Sequence, residues 1–394
     1  MLTATRIGRL DRSWRAGLLV GAAVGIAGGY LGRRAERASR PGLVDWRRAE
    51  SIAASRLRRA PGALTPAEIA AAGPAYAAIM DRIVPLLEVR LGQPLPGVVE
   101  RHEVIDRAGW AAASRVTFEA LLQRLEAPLL DQLRARRGAV AGLATLANRF
   151  LTTQQVGFLL GYLGTRVLGQ YDVALLAAEG PPGRLLFVEE NIRLVAAQLG
   201  VPLDRMRLWI ALHETTHAFE FEAHPWLRAY LAERLERQLA SFLEEADGLR
   251  VEGLGRLLRR IRDVRGGDLL GAFLTAEQRR LLAETQLLMS LLEGFSDWVM
   301  DDVGRQVLPD IDGIRERFEA RRGARRRGLD RLVSRLIGLD LKLEQYHKGE
   351  RFVAGVHALG GEPALARLWD GPASLPSQAE LDDPRLWVAR MTPA

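Results

Sequence analysis

The chain has 394 residues, 48% of them hydrophobic, enough to fill a substantial core and to exclude a disordered polymer. It contains no cysteine, which excludes disulfides and leaves His, Asp and Glu as the side chains that could hold a metal ion. The net charge of +7 is almost wholly arginine, with Lys342 and Lys348 the only lysines, and it is scattered among acidic residues along helical faces, so no nucleic-acid partner is expected.

Residues 1–42 read as an Arg/Gly-rich leader. Ala16 to Gly32 is uncharged and bracketed by Arg12 and Arg15 before it and Arg33 and Arg34 after it. As a helix it would reach about 25 Å, slightly short of the roughly 30 Å hydrocarbon layer. Gly17, Gly21, Gly25 and Gly29 would share one face, where a second helix can approach closely in lipid. Residues 16–32 are therefore a candidate membrane helix, with a flexible leader as the alternative, and the expected location is cytoplasmic or membrane-associated through this single segment.

From Leu43 onward, apolar residues recur at three- and four-residue intervals, as in Pro66–Leu91 and Arg107–Leu133, predicting a helical bundle. Pro61-Gly62 and Pro94–Gly97 punctuate it as turns. One segment departs from this pattern. Val173–Leu176 and Leu185–Val188 flank the turn signal Gly180-Pro181-Pro182-Gly183, which predicts a β-hairpin, with the candidate metal-binding helix expected to follow a strand directly. The expected fold is mainly α, with a small β-hairpin or sheet before the metal-binding helix. Residues 43–394 are expected to form one domain, with 43–135 as an N-terminal helical part and 136–394 as the metal-site core.

In Leu208–Phe219, His213 and His217 lie four apart and share a helical face, so both imidazoles can reach one ion. Glu214 sits beside the first, placed to approach a zinc-bound water as general base. A catalytic zinc needs a third protein ligand and one open position. His224 is one place out of register for the extended pattern, which needs a Gly where Glu220 stands and a His where Ala223 stands. It also precedes Pro225, so a local cap or turn contact suits it better. Glu293, in the segment Glu277–Val303, is the expected third ligand. Asp297, one turn later, is the expected partner that fixes a histidine's tautomer by accepting its remaining N–H. For oxyanion stabilisation Tyr346 is the first choice and His347 the second. Tyr230 to Thr275 reads as either a lid or a pair of surface helices.

Several of these stretches together, Leu160–Asp172, Leu208–His217, His224–Arg228, Leu287–Asp301 and Gly338–Gly349, resemble a bacterial family of zincin-like proteins catalogued as zinc-dependent metalloproteases. Some of its members are labelled as associated with deazaflavin-coenzyme biosynthesis. The similarity runs from about Val44 to the C-terminus and leaves out the Gly-rich leader. It implies a zincin-type fold with Zn2+ bound by His213, His217 and Glu293 and with Glu214 as base. The expected function is a zinc-dependent metallopeptidase acting on a peptide or protein substrate. The alternative is a catalytically idle zincin-like binding or scaffold protein associated with cofactor metabolism.

Overall fold

In a computed structural model of the chain, the described residues are 42–135, 139–172, 183–252, 275–323 and 342–392. They form α1 (Trp46–Leu57), α2 (Pro66–Leu91), a 3₁₀ turn (Gly97–Glu100), β1 (His102–Ile105), α3 (Arg107–Ala135), α4 (Ala139–Gly164), β2 (Gly169–Asp172) and β3 (Arg184–Val188). There follow α5 (Glu189–Leu199), α6 (Leu203–Ala223), α7 (Trp226–Glu252), α8 (Ala276–Val307), α9 (Ile311–Gly323), α10 (Lys342–Arg367), a second 3₁₀ turn (Pro372–Ser374), α11 (Gln378–Asp382) and α12 (Pro384–Met391). The fold is mainly α with one small sheet. Among the described residues no helix is long and apolar enough to cross a membrane; the segment 16–32 lies outside them.

The chain divides into two compact units, 1–56 with 121–161 and 57–120 with 162–394. In the first, α1 lies on the later part of α4. A Cβ at Gly157 would stand 2.7 Å from the Ala49 carbonyl oxygen, so only glycine allows this approach. The backbone N–H of Asp45 donates to Thr153 Oγ1 at 2.9 Å.

The second unit holds the sheet, in the order β1–β3–β2. Residues Leu185 to Val188 of the central strand have no exposed surface, which explains the uninterrupted apolar run there. β2 pairs antiparallel with β3, Gly169 opposite Phe187 and Asp172 opposite Arg184. A hairpin is thus present, but its first described strand is 169–172; Val173–Leu176 and most of the turn lie outside the described residues. β1 was not expected. It pairs parallel with β3, His102 opposite Leu185 and Ile105 opposite Val188. The helix that carries His213 and His217 also does not follow the strand directly, because α5 intervenes and ends at the left-handed Gly200, φ 62°. Glu189 and Glu190 favour its start, since acidic groups are stabilising at a helix N-terminus.

α2 begins with a reciprocal cap, in which Thr65 Oγ1 accepts from the Glu68 N–H and Glu68 accepts from the Thr65 N–H. Its buried stripe of Ala72, Tyr76, Met80, Ile83 and Leu87 follows helical spacing. Burying each large member contributes roughly 1.5–3 kcal/mol, which offsets two internal prolines costing about 3 kcal/mol each. The stripe packs into a core shared by the sheet, α6, α8 and α10. α8 and α10 cross without side chains between them. A Cβ at Gly294 would lie 2.2 Å from the carbonyl carbon of Gly349, and one at Gly349 would lie 1.8 Å from the Ser290 carbonyl oxygen.

Candidate metal centre

α6 runs through the core, and most of its residues from Met206 to Phe221 are buried. Two exceptions are His213 and His217, whose side chains retain 16% and 15% exposure and face the same way. Their Nε2 atoms stand 3.2 Å apart. Glu293, from the middle of α8, brings Oε2 to 3.8 Å from His213 Nε2, and one ligand atom from each of the three side chains lies within 4.8 Å of the others. A tetrahedral ion bonded at about 2.0–2.1 Å separates its ligand atoms by about 3.3 Å. The spacing of the imidazole nitrogens therefore fits a zinc-sized ion.

The electrostatics also favour a cation. His217 Nδ1 meets Glu220 Oε2 at 2.7 Å, and a carboxylate only accepts, so the Nδ1 proton faces Glu220 and Nε2 faces the site. Burial opposes a charge on this imidazole, but Glu220, Glu293 and Glu214 outweigh it and push the pKa up to about 10. A site that holds a proton so firmly between acidic groups has the charge needed for a metal ion of nitrogen and oxygen preference.

Glu214 points from the same helix toward β2. Its Oε2 accepts the backbone N–H of Tyr171 at 3.1 Å, and Gly169 leaves the space its side chain fills, since a Cβ there would lie 2.6 Å from Glu214 Cγ. Burial pushes the Glu214 carboxyl up to about 7; His217 opposes the rise and Glu293 adds to it. The strand itself is anchored. The Tyr171 phenol engages Glu222, which also pairs with Arg228, and Arg228 Nη2 donates to the Tyr171 hydroxyl at 2.5 Å. Tyr171 also stacks on Phe221, ring centroids 6.1 Å apart.

Residues 44–388 match the sequence model of zincin-like metallopeptidases. The chain belongs to that family. A solved structure from Chloroflexus aurantiacus, whose title describes a hydrolase of provisional assignment with a novel fold, is 37% identical. The match covers 88% of this chain and 98% of that one, with a TM-score of 0.64. No curated protein matches.

In this zincin-like chain His213, His217 and Glu293 come together, and Glu214, on the same helix as the histidines, is near enough to interact electrostatically with His217 and Glu293. Asp297 lies one turn after Glu293. Its carbonyl accepts from Arg315 Nη2 at 3.2 Å, and its charge helps Glu350 and Asp301 raise the Arg315 pKa against the effect of burial. Beside His213 Nδ1 stand Ser296 Oγ at 3.0 Å and Met300 Sδ at 3.2 Å. His224 is the C-cap of α6 and stacks on Trp369 with ring planes 5° apart, away from the ligand set. Tyr346 and His347 fall in the first turns of α10, and their side chains lie outside the described residues, as does much of the segment read as a lid, 253–274.

Sequence reasoning missed three contributors. Glu220 entered only as a departure from another metal pattern, although an acid three residues after a ligand on the same helix is itself a signal. Tyr171 acts through its backbone, which leaves no residue signature. Arg315 of α9 holds Asp301 at 2.7 Å and Glu350 at 2.8 Å, tying α8, α9 and α10 together behind Glu293.

Proposed function

We propose that the chain is a zinc-dependent metallopeptidase-type hydrolase in which His213, His217 and Glu293 hold the ion and Glu214 is the general base. The observation that carries this reading is the convergence of two imidazole nitrogens and one carboxylate, with a second carboxylate, on the same helix as the imidazoles, held by a backbone N–H. A zinc ion held there supplies Lewis acidity toward a scissile carbonyl and lowers the pKa of water to about 7. Glu214 Oε2 is occupied by the Tyr171 N–H, so Oε1 is the atom that takes up a proton and delivers it to the leaving amine. A carboxyl pushed up to about 7 is matched to that exchange near neutrality. Glu220 fixes the His217 ring, and Gly169 lets β2 approach closely enough to hold the base.

The test is metal content and cleavage of a peptide library by the wild type and by Glu214→Gln. Zinc at one equivalent in both, with cleavage lost in the variant, supports the proposal. Zinc in both with cleavage by neither supports the idle scaffold, and a wild type that binds no metal refutes both.

A further inference from the structure

Three hydroxyl side chains lie within α8, and they do not behave alike. Thr285 and Ser290 donate to the carbonyl four residues earlier on their own helix, Leu281 and Gln286, each at 2.9 Å, which is the usual bond of a hydroxyl inside a helix. Ser296 departs from this. Its Oγ crosses to α6, where it stands 3.0 Å from His213 Nδ1 and, in a longer contact, 3.4 Å from the His213 carbonyl oxygen. Ser296 has no exposed surface, so water does not compete for either contact. Met300, one turn later and equally buried, brings its Sδ to 3.2 Å from the same Nδ1, but a thioether is a weak acceptor.

A count of protons assigns the roles. The hydroxyl has one proton to give, and a carbonyl only accepts. An Oγ–H aimed at the His213 carbonyl turns the oxygen's lone pairs toward the ring, so Nδ1 must carry the ring's proton and donate it to Oγ. Nε2 then presents a lone pair on the side where it stands 3.2 Å from His217 Nε2 and 3.8 Å from Glu293 Oε2. Which nitrogen of an imidazole is protonated is set by the bond the other nitrogen makes. Two contacts to one residue, on its ring and on its main chain, also hold the ring against rotation. Glu293 precedes Ser296 by three residues on the same face of α8. The docking of α8 on α6 therefore places both at once.

We propose that Ser296 is the positioning residue of His213, accepting its Nδ1–H so that Nε2 faces the ion, and doing so without adding charge. The inference rests on the reading of His213 as a metal ligand. The two histidines are served differently: His217 Nδ1 meets the carboxylate of Glu220 at 2.7 Å, and His213 Nδ1 meets a neutral hydroxyl. A carboxylate partner raises the basicity of its histidine. Glu214, Glu220 and Glu293 already act on His217, so a hydroxyl orients the second ring while leaving the ion more of its Lewis acidity.

The experiment uses the full chain loaded with zinc. Chelator competition gives the zinc affinity, and proton–nitrogen magnetic resonance of protein with isotope-labelled histidines gives the imidazole N–H signals. Ser296→Ala, the loss of one oxygen, is expected to bind zinc about tenfold more weakly. It should also move the His213 Nδ1–H signal upfield and speed its exchange with water, while the His217 Nδ1–H signal, held by Glu220, stays in place. Met300→Leu, a volume-conserving change that cores tolerate, should alter neither affinity nor signal. Zinc affinity or a His213 signal untouched by Ser296→Ala overturns the proposal, and so does an equal loss of affinity in Met300→Leu. Those outcomes leave the metal reading standing, because the wild type binds zinc in each of them. A wild type that takes up no zinc overturns that reading and this one together.

Discussion

The backbone N–H of Tyr171 donates to Glu214 Oε2 at 3.1 Å, joining an edge strand of the sheet to α6 at the group proposed as base. The bond fixes the rotamer of a carboxylate that has burial, rather than salt bridges, around it. The approach depends on Gly169, two residues earlier. Gly169→Ala should therefore displace Glu214 while leaving the ligands in place. The expected result is a loss of about 10²-fold in kcat, the cost of a misplacement near 1 Å, with zinc content unchanged. Loss of zinc together with activity would count against a role confined to the base.

Glu220 should control affinity more than turnover. Replacing it with Gln keeps a hydrogen-bonding group at His217 Nδ1 but removes the charge, and with Ala removes both. Loss of such an orienting partner weakens metal binding by about 10- to 100-fold. Competition with a chelator should rank wild type above Glu220→Gln and Glu220→Ala last.

Metal binding should become more stabilising as pH rises. The His217 pKa of about 10 lies above its ordinary 6.5, so its contribution to the metal-free protein is complete below pH 6.5 and fades as pH climbs toward 10. Glu214 and Glu220, each raised from 4.5 to about 7, act in the same direction, withdrawing stability between those values. A metal ion replaces a proton here, so binding releases protons. Thermal melts with and without zinc should show a Tm increment larger at pH 8 than at pH 6; a constant increment would contradict this linkage.

Activity should rise with pH along a limb set by Glu214, since a base works only when deprotonated. The limb should lie at or below about 7, because a dication beside Glu214 adds positive charge to the setting that produces that value. It should disappear from the residual activity of Glu214→Gln, and its survival there would assign it to another group.

That His213 and His217 share one face of a helix was readable from sequence because a helix has a fixed period, so four residues of separation become one face whatever surrounds it. Glu293 was named through its helix and through the family resemblance, and its carboxylate lies near both imidazoles. The partners that arrive from elsewhere were not. β1 has four residues and gains its strand character from pairing with Leu185–Val188, more than eighty positions away. α5 was hidden between a strand and a turn, its pattern too short to stand apart from either. His224, read from the sequence as a local cap or turn contact rather than a ligand, is the C-cap of α6 and is turned onto Trp369.

The crossing at Gly294 and Gly349 offers a stability test. Alanine at either position would place a Cβ 2.2 Å or less from facing backbone, and backbone cannot rotate aside as a side chain can. Each substitution should cost about 3 kcal/mol or more, read by denaturant midpoints, and should lower zinc affinity as α8 shifts.

That crossing also bears on how the ligand set could be inherited. Glu293 adjoins one of these glycines, so its position is set by two main chains in contact. A descendant could repaint the outer surface of either helix freely, but enlarging one glycine would separate the pair. Such a protein would still spell the same two histidines and glutamate in its sequence while no longer assembling them in space.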